Sequence, residues 1–158
     1  MKAKSYYDVF FYEVFEEEKK LLEKNIPPNL RYGFIKESIQ NSKQEKPPSK
    51  LISIRTHSRV PADWENEIKG IVSRSSGFDH LLEYSEKINC GYLPLYCNRS
   101  VAEQTMLLWT SLLRKLPLQI KNFETFSREG ISGIEAKDKT VIIFGVGNIG
   151  YEIYKIAR

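Results

Sequence analysis

The residues best suited to chemistry form a glycine-rich turn near the end of the sequence, Gly145-Val146-Gly147-Asn148-Ile149-Gly150. An apolar run from Thr140 to Phe144 precedes the turn, and an amphipathic helical pattern follows it. In such a turn the first glycine permits a tight bend, the second lets the backbone approach a pyrophosphate, and the third lets the helix pack on the strand. Free N–H groups at the start of the helix then face the phosphate. This context favours dinucleotide binding over a plain strand-to-helix turn.

The rest of a dinucleotide-binding unit is not in the sequence. Such a unit needs a second strand that carries an acidic residue about 20 positions further on. The sequence ends at Arg158, before that position. NAD is therefore the cofactor we expect, with NADP not excluded, because the residue that separates the two follows the second strand.

Alternating apolar and polar segments over residues 1–97 indicate the architecture that precedes this turn. Helical segments or loops separate five predicted strands, and Asp79 is placed to cap a helix from His80 to Ile88. A second connecting helix is predicted from Pro61 to Ile68. The alternation predicts an α/β fold with a parallel sheet and helices on both faces. The predicted strands are Tyr6 to Phe15, Tyr32 to Lys36, Leu51 to Thr56, Gly70 to Arg74 and Gly91 to Tyr96.

A long helix is predicted next, because Ser100-Val101-Ala102-Glu103 reads as a capping box. The helix would run to Pro117, with apolar residues on more than one face, so we expect it to be buried between domains or subunits. A polar arm from Phe123 to Asp138 then leads into the strand that begins at Thr140.

Composition excludes several classes of protein. The 24 basic residues exceed the 20 acidic ones by only four and are scattered, which argues against a nucleic-acid partner. No apolar run is long enough to cross a membrane, and residues 1–20 lack the pattern of a secretory signal. Cys90 and Cys97 are separated by six residues, which fits neither a redox pair nor a zinc site, so we expect two reduced thiols and no metal. These features predict a soluble, cytoplasmic protein.

Four motifs in one order carry a resemblance to a known family. From about Leu51 to Arg158 the chain resembles the amino-terminal half of the D-isomer-specific 2-hydroxyacid dehydrogenases. Before Leu51 only the rhythm of strands and helices matches. The motifs are Arg74-Ser75-Ser76-Gly77-Phe78-Asp79, Pro94-Leu95-Tyr96-Cys97-Asn98, Val101-Ala102-Glu103-Gln104-Thr105, and the turn from Gly145 to Gly150.

The resemblance implies roles for particular residues. Ser76 and Gly77 lie in the loop whose backbone amides hold the substrate carboxylate, which suits a glycine turn that forms an anion-binding concavity. Tyr96 resembles a residue that borders the substrate in some members, although an aromatic at a strand end explains it equally well. Thr105, expected on the first turn of the long helix, resembles a residue that contacts the nicotinamide cofactor. Residues Gly147, Asn148 and Ile149 would hold the pyrophosphate, in a turn shaped by Gly145 and Gly150.

The resemblance also implies two domains with the active site in the cleft between them. Residues 1–97 would form a flavodoxin-like substrate domain, and residues 98–158 an incomplete Rossmann domain that begins with the long helix. The family pairs as a dimer through that helix, here Ser100 to Leu116, and the arm that follows. Its catalytic arginine, carboxylate and histidine lie in the carboxyl-terminal half, so we expect no catalytic residue in this chain.

Other ionisable residues are interpreted as structural. His57 and His80 lie in the wrong segments to be the family's acid, and each is expected to be a surface or capping residue. Arg74 is expected to support the turn beside it.

The function implied is that of an NAD(P)-dependent oxidoreductase, which transfers hydride between the nicotinamide and a 2-hydroxy or 2-oxo acid. The alternative is a non-catalytic dimerisation or interaction module derived from that family. A strand at Val141 to Phe144 would lack neighbours, so we expect residues 118–158 to be less stable than residues 1–97. The 158-residue chain alone is expected to be inactive and to bind cofactor poorly.

Overall fold

A computed structural model describes residues 6–158 of the chain. These residues divide into two compact units, one ending at Pro94 and the other formed by Leu95–Arg158. Residues 1–5 of the predicted first domain lie outside the described residues. The predicted boundary after Cys97 stays a prediction.

The first unit is built on a five-stranded sheet in which every neighbouring pair is parallel, in the order β2-β1-β3-β4-β5. Helix α1 (Glu16–Asn25) connects β1 to β2. The predicted α/β class with a parallel sheet is confirmed. The strands are β1 (Val9–Phe11), β2 (Tyr32–Phe34), β3 (Leu51–Ile54), β4 (Gly70–Ser73) and β5 (Asn89–Gly91).

The strands are shorter than the apolar runs that predicted them. Within the run from Tyr6 to Phe15 only Val9–Phe11 forms a strand, and Glu13 beyond it takes a left-handed backbone conformation (φ 55°). The predicted strand from Gly91 to Tyr96 is also misplaced, since β5 ends at Gly91. The apolar residues Tyr12 and Val14 beyond β1 are buried, whereas Leu93, Leu95 and Tyr96 beyond β5 are exposed.

Two predicted helices are wrong in type. The segments from Pro61 to Ile68 and from His80 to Ile88 form 3-10 helices at Ala62–Trp64 and Asp79–Leu81, each followed by turns. Phe78, not Asp79, occupies the cap position of the second, and no side chain caps it. Tighter turns still bring apolar residues spaced three or four apart onto the sheet, so the pattern alone did not separate the two helix types.

The core of this unit lies on one face of the sheet. Alternate strand residues point to the same face, so β1, β3 and β4 each contribute to it. The connections after β2, β3 and β4 supply the opposing layer. The buried cluster comprises Phe10, Tyr12, Ile39, Ile52, Ile54, Val60, Trp64, Ile68, Ile71, Leu81, Tyr84 and Ile88.

The second unit contains three helices, α2 (Asn98–Leu113), α3 (Leu116–Asn122) and α4 (Asn148–Ala157). The predicted capping box is wrong, because α2 begins two residues earlier and Ser100 lies in its first turn, donating its hydroxyl to Cys97 O at 2.9 Å. The helix also ends earlier than predicted. Lys115 takes a left-handed conformation (φ 54°) that separates α2 from α3.

Helix α2 packs against α4 within this unit. Ala102 is fully buried, and Arg99 Nη1 lies 3.5 Å from Glu152 Oε2. The leucines of α2 that suggested burial on several faces, Leu107, Leu108 and Leu112, are more than half exposed. Helix α2 therefore carries an apolar surface that the described chain does not cover.

The predicted strand from Val141 to Phe144 is wrong, since these residues form no strand. Among the described residues none pairs with this segment, and the Phe144 side chain is 93% exposed. A strand needs a neighbour for its backbone N–H and C=O groups, so an apolar run without one stays irregular. No helix within residues 6–158 combines the length and the apolar character that spanning a bilayer demands.

Replacing Ile71 tests the placement of the core. Ile71 is fully buried in β4, whereas the next residue, Val72, is 37% exposed on the opposite face. We expect Ile71→Ala to lower the free energy of unfolding by about 2–5 kcal/mol through lost burial and a cavity. Val72→Ala should cost less than half as much. Urea unfolding followed by the fluorescence of buried Trp64, in a Trp109→Phe background, measures both, and equal losses would contradict this core.

Candidate functional site

The carboxyl ends of β1, β3 and β4 form the edge of the sheet where polar groups gather. The chain leaves β1 toward β2 on one side, and β3 then lies on the other side of β1. In open parallel sheets, ligands bind in the crevice that this reversal opens beyond the carboxyl ends of the strands. The candidate site of the first unit therefore lies at the ends of β1 and β3 and extends to the turn after β4.

Arg74, directly after β4, ties these strand ends together. Its Nη2 donates to Tyr12 O at 2.7 Å and its Nη1 to Ser53 Oγ at 2.9 Å. Its Nε donates to Glu18 Oε1, in the first turn of α1, at 2.7 Å. Only 7% of the arginine is exposed. The guanidinium binds the ends of β1 and β3 and so fixes the strand end from which the turn starts, while the expectation that Arg74 supports that turn stays a prediction.

Glu18 balances two arginines at this edge. Burial disfavours its charged form, but hydrogen bonding to Arg74 and the charges of Arg74 and Arg55 outweigh that effect and lower the pKa of the carboxyl. Arg55 Nη2 lies 3.4 Å from Glu18 Oε1, and its guanidinium stands over the ring of Phe15, 4.6 Å from the centroid. The carboxylate thus orients both cations.

Glu13 is the second carboxylate of this edge, and it closes the loop after β3. Its Oε1 accepts the N–H of Ser58 at 2.6 Å and its Oε2 accepts the N–H of His57 at 3.3 Å. The His57 ring is exposed, with Nδ1 3.8 Å from Glu13 Oε2. The prediction of a surface role for His57 agrees with this placement.

The turn from Ser75 to Gly77 is the predicted carboxylate loop. Ser75 Oγ donates to Gly77 O at 2.8 Å, and Ser75 O accepts the N–H of Leu93 at 3.0 Å, so side chain and backbone both hold the turn. Ser76 is half-buried and Gly77 is exposed. A Cβ added at Gly77 would meet no atom within 4 Å, so the turn is open to an approaching group.

His80 was expected to be a surface or capping residue, and that expectation is wrong. Its Nε2 lies 2.8 Å from Ser73 Oγ, which in turn lies 2.6 Å from Ser75 Oγ. Burial lowers the pKa of the imidazole, and the nearby charge of Arg59 lowers it further. No local pattern signals this contact, because its partner serine ends a strand seven positions earlier.

The glycine-rich turn in the second unit keeps two features of its motif, a left-handed first glycine and a close approach at the third, although no strand precedes it. Gly145 has φ +87°, which favours glycine, and a Cβ added at Gly150 would lie 2.1 Å from Gly145 O. Gly147 caps α4, and nothing lies within 4 Å of a Cβ placed there. The first helical bond runs from Tyr151 N–H to Gly147 O at 2.9 Å, so the N–H groups of residues 148–150 lack acceptors within the helix. Donors of this kind at the start of a helix suit an anion.

Two further predicted residues lie in the second unit. Tyr96 occupies the turn before α2, with 59% of the residue exposed, and so is not a strand-end aromatic. Thr105 lies about two turns into α2, not in its first turn, and its Oγ1 donates to Val101 O at 2.8 Å. Their functional roles stay predictions, as do those of Ser76, Gly77 and the glycine-rich turn.

The chain is similar in sequence and in fold to known proteins. The chain is 34% identical over 93 residues to the aromatic 2-oxoacid reductase of Clostridium sporogenes, and 35% identical over 88 residues to a 2-hydroxyacid dehydrogenase homolog of Zymomonas mobilis. The resemblance to 2-hydroxyacid dehydrogenases is confirmed. The D-lactate dehydrogenase of Aquifex aeolicus, solved with NAD and lactic acid, matches the fold over 94% of this chain with a TM-score of 0.73 and 23% identity.

These similarities cover only part of each relative. The sequence matches span 54% and 52% of this chain but 28% and 27% of the two relatives. The structural match spans 47% of the Aquifex chain. No protein-family model matches the chain. The comparisons thus support a resemblance to oxidoreductases. The matched region makes up about half, or less, of the length of those relatives.

The network around Glu18 predicts a pH dependence of stability. Because the pKa of Glu18 is lowered in the folded chain, its contribution is complete above its ordinary pKa of 4.5 and is lost as the pH falls through the lower folded value. We expect the wild type to lose more free energy of unfolding than Glu18→Gln on acidification below pH 4.5. Urea unfolding at a series of pH values measures this. Glu23→Gln, an exposed change on the same helix, should behave like the wild type, and identical acid losses for all three proteins would contradict the network.

Proposed function

We propose that this chain supplies the substrate-carboxylate loop and the cofactor-phosphate turn of an NAD(P)-dependent oxidoreductase of the D-2-hydroxyacid dehydrogenase type. The observation that carries this proposal is the sequence match to a 2-oxoacid reductase, together with the open turn at Ser76 and Gly77 at the carboxyl edge of the sheet. The substrate class is a small 2-hydroxy or 2-oxo acid.

The carboxylate of the substrate would bind the backbone of the turn at Ser76 and Gly77. An open glycine turn suits an anion because consecutive backbone N–H groups can converge on one oxygen pair. Arg74 holds the preceding strand end, so the turn starts from a fixed position. Tyr96 would border the same substrate, as the resemblance implies.

The pyrophosphate of the cofactor would bind at Gly147, Asn148 and Ile149. The open space at Gly147 and the donors at the start of α4 support this assignment, and Gly145 and Gly150 shape the turn. Thr105 would contact the nicotinamide cofactor. When bound, the nicotinamide supplies the hydride chemistry, whereas these residues bind and orient it.

Within the proposed function the chain binds ligands and does not catalyse. The resemblance places the catalytic arginine, carboxylate and histidine in the family's carboxyl-terminal half, and His57 and His80 lie in other segments. His57 is tied to Glu13, and His80 is hydrogen-bonded to Ser73. The 158-residue chain alone would therefore be inactive in hydride transfer.

A homodimer is part of this proposal. The exposed leucines of α2 continue into exposed aromatic residues at Phe123 and Phe126, in the arm that follows. Contiguous apolar surface of this kind is typical of a protein interface. We propose that it pairs with a second copy of the chain.

Carboxylate binding is tested with pyruvate as the probe. We expect pyruvate to shift the amide signals of Ser76 and Gly77 in nuclear magnetic resonance spectra of the 158-residue chain. Gly77→Val should abolish these shifts without unfolding the protein, because the added side chain enters open space and covers the turn. Gly147→Val, a matched change in the other turn, should leave pyruvate binding intact. Pyruvate shifts that are absent in the wild type, or that survive Gly77→Val, would refute the assignment of this turn.

Cofactor binding is expected to be weak in the chain alone. The turn from Gly145 to Gly150 offers phosphate donors, but the adjoining segment from Val141 to Phe144 forms no strand to hold it in place. We expect titration calorimetry with NADH to give a dissociation constant above the micromolar range. Amide shifts at Gly147 and Asn148 should still appear at high NADH concentration and vanish in Gly147→Val. Micromolar affinity would show that the turn needs no neighbouring strands.

A further inference from the structure

We propose that His80 is a positioning residue for the carboxylate turn, acting through a chain of hydrogen bonds from its ring to Gly77 O. The inference deepens the proposed function and rests on it for the role of the turn. The chain links four groups in series: His80 Nε2, Ser73 Oγ, Ser75 Oγ and Gly77 O. We call it the His80 chain.

Each link of the His80 chain has the length of a good hydrogen bond. His80 Nε2 lies 2.8 Å from Ser73 Oγ, and Ser73 Oγ lies 2.6 Å from Ser75 Oγ. Ser75 Oγ lies 2.8 Å from Gly77 O. Ser73 is fully buried at the end of β4, so the chain has a fixed anchor within the sheet.

The count of protons fixes the direction of every bond in the His80 chain. A carbonyl oxygen only accepts, so Ser75 must donate its single hydroxyl proton to Gly77 O. Ser73 must then donate its own proton to Ser75. No proton remains on Ser73 for the imidazole, so His80 Nε2 must carry a hydrogen and donate it to Ser73. The neutral ring is thereby assigned to the Nε2–H tautomer.

The surroundings of His80 favour the neutral ring. Burial lowers the pKa of the imidazole, and the charge of Arg59 acts in the same direction. Three carboxylates act in the opposite direction, from Glu13, Asp79 and Glu83, and are outweighed. The neutral Nε2–H form already supplies the donor that the chain requires, so the turn is held without uptake of a proton.

The consequence for the turn is that the His80 chain restrains its carbonyl oxygen, Gly77 O. Gly77 is exposed, and glycine has a wide choice of backbone conformations, so an unsupported Gly77 peptide would rotate easily. Holding Gly77 O restricts that rotation and fixes where the neighbouring amides point. A carboxylate then binds a turn that is already ordered, which lowers the entropic cost of binding.

The first test measures the tautomer. The protein contains only two histidines, so the spectrum is simple, and His57→Gln assigns the remaining ring signals to His80. Long-range nitrogen–proton correlation at a pH above the imidazole pKa distinguishes the two neutral tautomers. We expect only Nε2–H for His80. A detectable population of Nδ1–H at His80 would overturn the proposal.

The second test asks whether the hydrogen-bonded groups of the His80 chain act together on the turn. We expect His80→Phe and Ser75→Ala each to increase the fast backbone motion of Ser76 and Gly77, seen as lower heteronuclear Overhauser effects. The double variant should add nothing further, because either change already breaks the same chain. His80→Gln offers an amide donor in place of the ring N–H and should restore the rigid turn. Additive effects, or a turn that is unaffected by both changes, would refute the proposal.

The third measurement asks whether the His80 chain affects pyruvate binding. We expect His80→Phe to weaken pyruvate binding about three- to tenfold, the effect of losing one neutral hydrogen bond, and His80→Gln to bind like the wild type. Ser85→Ala, which removes an exposed local hydroxyl, is the matched control. If the wild type does not bind pyruvate, the proposed function fails, while the tautomer and the backbone motion still decide the role of His80. Unchanged affinity in His80→Phe would overturn that role.

Discussion

The buried guanidinium of Arg74 is the constraint on which the carboxyl edge of the sheet depends. A cation removed from water is tolerated only when its donors are satisfied, and here two backbone carbonyls, one hydroxyl and one carboxylate satisfy them. Because those acceptors come from the ends of β1 and β3 and from α1, the arginine can be satisfied in one arrangement of these elements. The position of the turn that starts at Ser75 follows from that arrangement.

The order of the strands explains why this edge is suited to a ligand. The reversal beside β1 leaves the loops after β1 and β3 to diverge, and the polar side chains of Glu13, Glu18 and Arg74 lie at these strand ends. Arg55 and Glu18 lie on one side of this edge, and Ser75 and Gly77 lie beyond β4. Under the proposed function, the open glycine turn beside this ordered edge would select an anion by its backbone geometry.

Much of the fold could be predicted from the sequence, because the strands of a parallel sheet are buried runs and their alternation with helical segments is directly visible. The site was predicted less completely. Ser76, Gly77 and the turn from Gly145 to Gly150 were found from local motifs, whereas the contacts of Arg74 and His80 depend on residues brought together by folding. The run from Val141 to Phe144 shows the opposite failure, since its apolar pattern predicted a strand but pairing needs a neighbour that no local pattern supplies.

The two glycine turns use the same chemistry for different parts of the proposed reaction. In the proposed function each would offer backbone donors to an anion, and backbone donors alone neither move a proton nor polarise a carbonyl strongly. A chain that carries only these turns would recognise a carboxylate and a pyrophosphate separately, and each weakly, because a few hydrogen bonds must offset the cost of immobilising the ligand. Hydride transfer additionally requires both ligands to be held in one orientation with a general acid in reach. Under the proposed function, recognition and catalysis are therefore separable, and the two glycine turns would serve recognition alone.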